Sequence, residues 1–278
     1  MSSKSFTGTI PTEFGLLTEL TSMALNGNSL NGTLPTQIGN LVSMRSSFRL
    51  ESMSLTGLLP TQIGSFVGMS LLFWLHQNEL SGSLPTQIGN LAAISSYFRL
   101  ESNELSGALP TQLANMVAMS SYFYLKSNSL SGSIPTEIGA AGFYQYIYLD
   151  TNQLSGSIPT ELGALGLTTT SAAYFFLDSN RVCGDIPTEV AALSSSLYYA
   201  SYSSYWDIDS DTSIGTTCGA YDEWPNLPTT IQSRCASPAL VRPSKAAAAP
   251  AKQNKQTKTT NNLSKAMAPT CPTRSRRV

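Results

Sequence analysis

The sequence predicts an α/β solenoid, in which short parallel strands alternate with short helical or 3₁₀ segments along stacked coils of similar length. The first observation is a Pro-Thr pair that recurs at intervals of 24 to 28 residues, at Pro11, Pro35, Pro60, Pro85, Pro110, Pro135, Pro159 and Pro187. The second is a short apolar alternation between successive pairs, and the third is an asparagine in a fixed slot after it. A fixed period of this length indicates a repeat architecture, in which each unit contacts only its neighbours.

The apolar alternation in each coil predicts a β-strand. In the fourth coil, Phe98 and Leu100 are two residues apart and therefore point the same way. Strands of successive coils would stack about 4.8 Å apart in a parallel sheet. The slots predicted to point inward are Met23, Phe48, Phe73, Phe98, Phe123, Ile147 and Phe175, then Leu25, Leu50, Leu75, Leu100, Leu125, Leu149 and Leu177. Since one coil cannot bury its apolar face alone, we expect stability to come from stacking.

Three polar or special residues mark the bends. The asparagine slot holds Asn28, Asn78, Asn103, Asn128, Asn152 and Asn180. We expect its amide, which both donates and accepts hydrogen bonds, to satisfy backbone groups of two coils. Met53 occupies this slot in the second coil, which predicts a missing rung and a weak point. A glycine three residues before each following proline predicts a bend or close backbone approach, and the proline then ends the strand pairing.

The repeated phrase L-S-G-x-I-P-T-E-I-G, as at residues 130–139, resembles the plant-specific class of leucine-rich repeats. This class is found in receptor-kinase ectodomains and polygalacturonase-inhibiting proteins. The Pro-Thr-Glu/Gln wording, and the ending at residues 182–190, are similar to leucine-rich-repeat proteins of unicellular algae. The resemblance covers about residues 5–193. It implies a right-handed superhelix with a parallel concave β-sheet, short 3₁₀ or helical convex segments and a second small sheet formed by the L-S-G-x-I-P stretch.

The chain divides into three predicted parts. Residues 1–193 form a solenoid of about eight repeats, mostly of 24–25 residues, without the cysteine-paired N-terminal cap of the family. Residues 194–236 form a C-terminal cysteine-containing cap, and residues 237–278 form a disordered basic tail because no apolar period survives there. The four cysteines Cys183, Cys218, Cys235 and Cys271 suggest a disulfide-stapled end, and three pairings remain open.

The charge distribution restricts the partners. Residues 1–235 carry seven basic and all 17 acidic residues, a balance of 7 − 17 = −10, while residues 236–278 carry the remaining 16 − 7 = 9 basic residues. A negative body gives no electrostatic reason to bind nucleic acid. No run approaches the ~20 apolar residues that span a bilayer. The first residues lack the apolar core of a signal peptide, although the family resemblance implies an extracellular or cell-surface location.

No motif in the sequence predicts catalysis or a cofactor. His76 is the only histidine, expected on the exposed side of the strand next to Leu75, and no nucleophile motif accompanies it. A surface polar residue is the better interpretation. Asp207, Asp209 and Asp211 alternate, but they lack the glycine and the closing Glu of a calcium loop, which favours a solvated acidic loop over a metal site. We therefore predict that the protein is not an enzyme and holds no metal.

The residues between the inward slots are expected to project from the concave face in contiguous stripes, because equivalent positions are neighbours in a parallel sheet. Tyr, Trp and Arg are enriched where proteins bind partners. The predicted ligand contacts are Arg49, Trp74, His76, Tyr97, Arg99, Tyr122, Tyr124, Lys126, Tyr146, Tyr148, Tyr174 and Phe176. The alternative is that the rings merely stack along the sheet, as cross-strand aromatic pairs do.

Together these observations predict a recognition module that binds a protein, peptide or glycan through its concave face, with the oligomeric state left open. The alternative is a structural or ice-binding cell-surface protein. In that case a row of small polar residues would order water, although two apolar residues interrupt it. The row consists of Thr33, Leu58, Ser83, Ala108, Ser133 and Ser157.

Overall fold

A computed structural model describes residues 2–142, 146–165, 174–191, 206–207 and 213–214, with only the backbone course for residues 174, 206–207 and 213–214. The chain divides into two units, Met1–Ala236 and Ser237–Val278. The predicted basic tail and most of the predicted cap lie outside the described residues. The predicted domain boundaries therefore stay predictions.

One parallel sheet contains the strands that the apolar alternation predicts. Its eight strands follow in chain order and are Ser22–Ala24, Ser47–Arg49, Leu72–Trp74, Tyr97–Arg99, Tyr122–Tyr124, Tyr146–Tyr148, Tyr174–Phe176 and Trp206–Asp207. Equivalent residues pair in register, as Phe73 does with Phe98 and Phe98 with Phe123. The predicted strand positions are confirmed.

A second parallel sheet, which the family resemblance implied, contains nine strands. They are Thr7–Thr9, Ser29–Thr33, Ser54–Leu58, Glu79–Ser83, Glu104–Ala108, Ser129–Ser133, Gln153–Ser157, Arg181–Gly184 and Ser213–Ile214. The predicted glycine bend lies within these strands. Gly82 has φ +73°, and a Cβ atom there would lie 2.3 Å from Cδ2 of Leu58. Glycine suits this position because its backbone φ is positive, and the tip of the exposed Leu58 side chain is the only group that a Cβ atom would have to displace.

Short 3₁₀ segments close the coils after the prolines. They are Thr12–Leu16, Thr36–Asn40, Thr61–Ser65, Thr86–Asn90, Thr111–Asn115, Thr136–Ala140 and Thr160–Ala164, and residues 188–191 form a helical turn after Pro187. Pro85, with φ −68°, shows the geometry that recurs before each segment. Proline fixes this angle and lacks a ladder donor, so the strand ends there. In the described ranges, no helix is long and apolar enough to cross a membrane.

The predicted inward slots form one continuous core. Phe48, Phe73, Phe98 and Phe123 are fully buried, and the leucine slots beside them are buried as well. The rings of Phe73 and Phe98 are stacked with centroids 5.3 Å apart, as are those of Phe98 and Phe123. Each such aromatic pair contributes about 0.5–1.5 kcal/mol beyond the burial of its surface. The core is thus stabilised by contacts between coils, as expected for a solenoid.

The asparagine slot joins consecutive coils, as predicted. Oδ1 of Asn103 accepts a hydrogen bond from the Leu80 backbone N–H of the preceding coil at 3.1 Å. Its Nδ2 donates to the carbonyl oxygens of Leu75 in the preceding coil and Leu100 in its own coil, both at 3.0 Å. The same three kinds of bond recur at Asn78, Asn128, Asn152 and Asn180. One amide therefore satisfies backbone groups of two coils.

Met53 is buried in the asparagine slot of the second coil and offers no amide. Replacing it by Asn should restore three hydrogen bonds of about 1 kcal/mol each. The same replacement loses the apolar burial of Met53, which is worth roughly 1.5–3 kcal/mol. We therefore expect Met53→Asn to raise the free energy of unfolding by a net amount of about 1 kcal/mol. Urea denaturation followed by circular dichroism measures this change.

The reciprocal change is the control for this prediction. Asn103→Met removes the amide from an intact rung and leaves a buried backbone N–H without its acceptor, which costs about 1–3 kcal/mol. If Asn103→Met were as stable as the wild type, the amide would not be the link between coils.

Candidate functional site

The solvent-facing side of the eight-stranded sheet carries the predicted ligand contacts in register. The middle stripe of this face is Arg49, Trp74, Arg99, Tyr124, Tyr148 and Phe176, which lie on consecutive strands. The flanking stripe includes Tyr97, Tyr122 and Tyr146, and the strand of Tyr174 continues it. The side chain of Tyr174 lies outside the described residues. His76 and Lys126 follow the ends of their strands by two residues.

The tyrosines of the flanking stripe stack on one another. The ring centroids of Tyr97 and Tyr122 are 4.3 Å apart with planes 4° apart, and those of Tyr122 and Tyr146 are 4.3 Å and 6° apart. All three side chains are half-buried, whereas the sequence predicted an exposed stripe. The stacking that was the alternative interpretation is therefore present. Because the ring faces cover each other, this stripe presents mainly ring edges and hydroxyl groups to solvent.

The middle stripe continues the aromatic surface with a different geometry. The rings of Tyr124 and Tyr148 are 4.4 Å apart and tilted by 41°, and Phe176 follows at 4.8 Å. Lys126 Nζ lies 4.9 Å from the ring centroid of Tyr148. Burial raises the pKa of Tyr124, and so does its neighbour Tyr148. The hydroxyl of Tyr124 therefore stays neutral and can donate a hydrogen bond at physiological pH.

Two arginines are fixed between a tryptophan and a carboxylate. The guanidinium carbon of Arg49 lies 4.3 Å from the Trp74 ring centroid, and that of Arg99 lies 5.4 Å from it. Arg49 Nε donates to Oε1 of Glu51 at 3.1 Å, and Arg99 Nε donates to Oε1 of Glu101 at 2.8 Å. Nη2 of each arginine donates to the same carboxylate oxygen. Each arginine is therefore neutralised by the glutamate two residues after it, with one oxygen of each carboxylate accepting both bonds.

His76 is buried, and the expectation that it lies exposed on the strand is wrong. Only 7% of its surface is accessible. The indole of Trp74 packs edge-on against the imidazole at 5.8 Å. Backbone hydrogen bonds continue past the strands, from Ser52 N–H to His76 C=O and from Gln77 N–H to Glu101 C=O, each 3.0 Å. His76 therefore lies in one row between Glu51 and Glu101, and these neighbours limit its exposure.

The two glutamates are functional candidates that the sequence reasoning did not select. Glu51 is 6% accessible and Glu101 is 4% accessible. The signal that could have identified them is the phrase Phe-Arg-Leu-Glu-Ser, which occurs at residues 48–52 and again two coils later at 98–102. We call Arg49, Glu51, Trp74, His76, Arg99 and Glu101 the ionic patch.

Several polar atoms of the ionic patch are buried and have no hydrogen-bond partner. They are Oε2 of Glu51, Oε2 of Glu101, Nε1 of Trp74 and Nδ1 of His76. An unpaired buried polar group costs about 1–3 kcal/mol, and more when it is charged. Among the described residues, no three His, Cys, Asp or Glu side chains are placed to hold a metal ion. The ionic patch is therefore rich in unsatisfied hydrogen-bonding capacity.

Two other predicted features fall largely outside the described residues. Cys183 is buried in the strand Arg181–Gly184, but the other three cysteines lie outside them, so the predicted pairing stays a prediction. The side chains of Asp207, Asp209 and Asp211 also lie outside them.

The row of small residues proposed for ordering water lies at the ends of strands of the nine-stranded sheet. All six residues of this row are exposed. The side chain of Leu58 is 66% accessible and interrupts the row of hydroxyl groups, as the sequence analysis noted.

The pKa of His76 gives a direct test of this geometry. Burial lowers this pKa to about 4, and the positive charges of Arg99 and Arg49 add to the effect. Because His76 is the only histidine, its imidazole resonances can be followed by NMR without ambiguity. We expect a titration midpoint about 2.5 pH units below that of a free histidine, and a higher midpoint in Arg49→Gln/Arg99→Gln. A wild-type midpoint near 6.5 would contradict the buried position.

The same shift predicts a pH dependence of stability. As pH falls from 6.5 towards 4, the histidine of the unfolded chain binds a proton while native His76 does not. The wild type should therefore lose stability relative to His76→Gln across this window, and the difference between the two proteins should not change with pH above pH 7. Urea unfolding of both proteins at pH 7.5, 6, 5 and 4.5 measures it.

The comparisons with known proteins agree with this architecture. No protein-family model matches the chain, and no curated protein matches it. Among solved structures, the leucine-rich-repeat ectodomain of the plant membrane receptor kinase GASSHO1/SCHENGEN3 from Arabidopsis thaliana, in complex with CASPARIAN STRIP INTEGRITY FACTOR 2, is 34% identical with a TM-score of 0.63. The match covers 69% of this chain and 22% of that chain.

Two further matches are receptors solved with ligands. The Arabidopsis receptor kinase HAESA ectodomain in complex with an IDA peptide hormone ligand is 32% identical with a TM-score of 0.58, covering 67% of this chain and 30% of that chain. The plant peptide hormone receptor RGFR1 in complex with RGF2 is 28% identical with a TM-score of 0.60. This match covers 69% of this chain and 30% of that chain. The chain thus spans less than a third of each receptor structure. With its regular coils and two parallel sheets, it belongs to the plant-type leucine-rich-repeat family.

Proposed function

We propose that this chain is a non-catalytic recognition module that binds a protein or peptide through the solvent-facing side of the eight-stranded sheet, the predicted concave face. One observation carries the proposal: aromatic and arginine side chains form an unbroken stripe from Arg49 to Phe176 on consecutive strands. Residues of these types dominate the binding energy of protein interfaces.

The packing of the stripes favours binding without a large ordering cost. The stacked rings of Tyr97, Tyr122 and Tyr146 are already held in one geometry by their neighbours. Immobilising a free side chain on binding costs about 0.5–1.5 kcal/mol. Since these rings are ordered beforehand, that cost is largely avoided.

The geometry of the rings favours a peptide over a glycan. A sugar ring packs best on a free aromatic face, but the tyrosine faces of the flanking stripe cover each other. Arg49 and Arg99 lie over the Trp74 ring. Ring edges, hydroxyl groups and guanidinium groups remain, and these are suited to the amides and side chains of a peptide.

The matched receptors support the same class of ligand and a location. HAESA was solved with a peptide hormone, and RGFR1 is a peptide hormone receptor. Both HAESA and GASSHO1 were solved as ectodomains. We therefore propose that this module acts at the cell surface or outside the cell.

A peptide library displayed on phage tests the proposal. We expect the wild type to select a consensus peptide, and Trp74→Ala/Tyr124→Ala/Tyr148→Ala to bind that peptide at least 100-fold more weakly. The reason is that removing one such anchor costs about 2 kcal/mol or more. Isothermal titration calorimetry with the synthetic peptide measures the dissociation constant, and circular dichroism verifies that the variant is folded.

The matched control removes three exposed apolar side chains away from this face, in Leu58→Ala/Val67→Ala/Val117→Ala. This variant should bind as the wild type does. Unchanged binding by the aromatic variant, or equal weakening by the control, would show that the ligand does not use the eight-stranded sheet.

A further inference from the structure

We propose that Glu51, His76 and Glu101 form a subsite for a basic side chain of the bound peptide, the guanidinium or ammonium group of an arginine or lysine. The inference rests on the proposed function in that it takes the ligand to be a peptide on the eight-stranded sheet. It adds the chemical identity of one ligand side chain and the place where that side chain binds.

The three residues form a row on consecutive coils. The ladder bonds from Ser52 N–H to His76 C=O and from Gln77 N–H to Glu101 C=O hold them side by side. With neighbouring strands about 4.8 Å apart, the two glutamates flank His76 at backbone positions roughly 10 Å apart. A cationic group placed over His76 therefore has a carboxylate on each side.

Each glutamate retains an acceptor for such a group. The two nitrogens of Arg49 both donate to Oε1 of Glu51, and those of Arg99 both donate to Oε1 of Glu101. Oε2 of both glutamates is buried without a hydrogen-bond partner. A charged donor is the strongest partner for such an oxygen, because charge-assisted hydrogen bonds are about twice as strong as neutral ones.

His76 is not the charged hydrogen-bond donor for these carboxylate oxygens. Burial and the two arginines lower its pKa to about 4, so the imidazole is neutral at physiological pH. The neutral imidazole adds no positive charge of its own, so Arg49 and Arg99 are the cations that an incoming basic group has to displace.

Trp74 provides the complementary hydrogen bond. Its Nε1–H is buried and has no acceptor, and the indole lies beside His76. A peptide offers a basic side chain for the glutamates and a backbone carbonyl for the indole, whereas a metal ion offers neither. In the described part of the chain, the ligand geometry for a metal ion is also absent.

The ligand reaches the carboxylates by displacing flexible side chains. Arg49 and Arg99 form the rim, with 29% and 26% of their side chains accessible, while the glutamate side chains beneath are 7% and 5% accessible. An arginine side chain has several rotatable bonds, so it can shift towards solvent without moving the sheet. The rim is therefore the route to Oε2.

The test selects phage-displayed random peptides on the wild type and on Glu51→Gln/Glu101→Gln. Glutamine preserves the shape of glutamate and removes its charge. We expect the wild-type consensus to contain one arginine or lysine position and the variant to lose that enrichment. The wild-type consensus peptide should bind the variant at least 10-fold more weakly by calorimetry.

Two controls separate the site from general charge effects. Glu79→Gln/Glu104→Gln makes the same charge change on exposed positions of the nine-stranded sheet and should leave affinity within twofold of the wild type. A consensus peptide with norleucine at the basic position should bind the wild type at least 10-fold more weakly and the Glu51→Gln/Glu101→Gln variant as well as the parent peptide does. The comparison of the parent and norleucine peptides on the wild type tests the inference even if the double variant folds poorly.

The outcomes distinguish this inference from the proposed function. If the wild type selects no consensus peptide, the peptide ligand of the proposed function is refuted and this inference fails with it. If a consensus is selected that depends on Trp74, Tyr124 and Tyr148 but has no basic position, the proposed function stands and the subsite is refuted. Equal weakening by the control on the nine-stranded sheet would also refute it.

Discussion

The asparagine amide that joins consecutive coils is the constraint on which the rest of the structure depends. Its oxygen accepts a backbone N–H of the preceding coil, and its nitrogen donates to carbonyl groups of both coils. Sliding one coil by a single residue would break the two bonds that join it to the preceding coil, and it would turn every inward side chain to the solvent side. The stacked phenylalanine core and the surface stripes both exist because this register is kept from coil to coil.

Fixed register restricts which side chains can be neighbours on the solvent-facing side of the eight-stranded sheet. Equivalent side chains lie about 4.8 Å apart along the sheet, so like charges in adjacent coils would repel each other. The sequence avoids this conflict by alternating Arg49, Trp74 and Arg99 in one row and Glu51, His76 and Glu101 in the next. Burial keeps His76 neutral by lowering its pKa, and the alternation adds to this effect because a protonated imidazole would lie near both arginines.

The features that recur could be predicted from the sequence, because residues that repeat at a fixed interval occupy equivalent positions in successive coils. The inward phenylalanines, the strands and the asparagine bonds all follow from one repeating pattern. The burial of His76 could not be predicted in this way. It depends on the sizes of its neighbours, Trp74 and two glutamates, which differ from coil to coil. The repeat is degenerate in residues 194–236, so the sequence pattern did not predict that Trp206–Asp207 and Ser213–Ile214 continue the two sheets.

The positions at which the repeat varies make the two ends of this face chemically different. The coils that carry the ionic patch, from Arg49 to Glu101, have charged and hydrogen-bonding groups, whereas the coils from Tyr122 to Phe176 carry predominantly aromatic rings. The six strands from Arg49 to Phe176 are separated by five spacings, about 24 Å in all, which is the length of roughly seven residues of extended chain. A peptide that contacts both ends therefore meets unlike chemistry at each, and reversing its direction would place its side chains against the wrong half. Regular coils supply the rigidity of this surface, and the few positions that break the regularity would supply the selectivity of the proposed peptide binding.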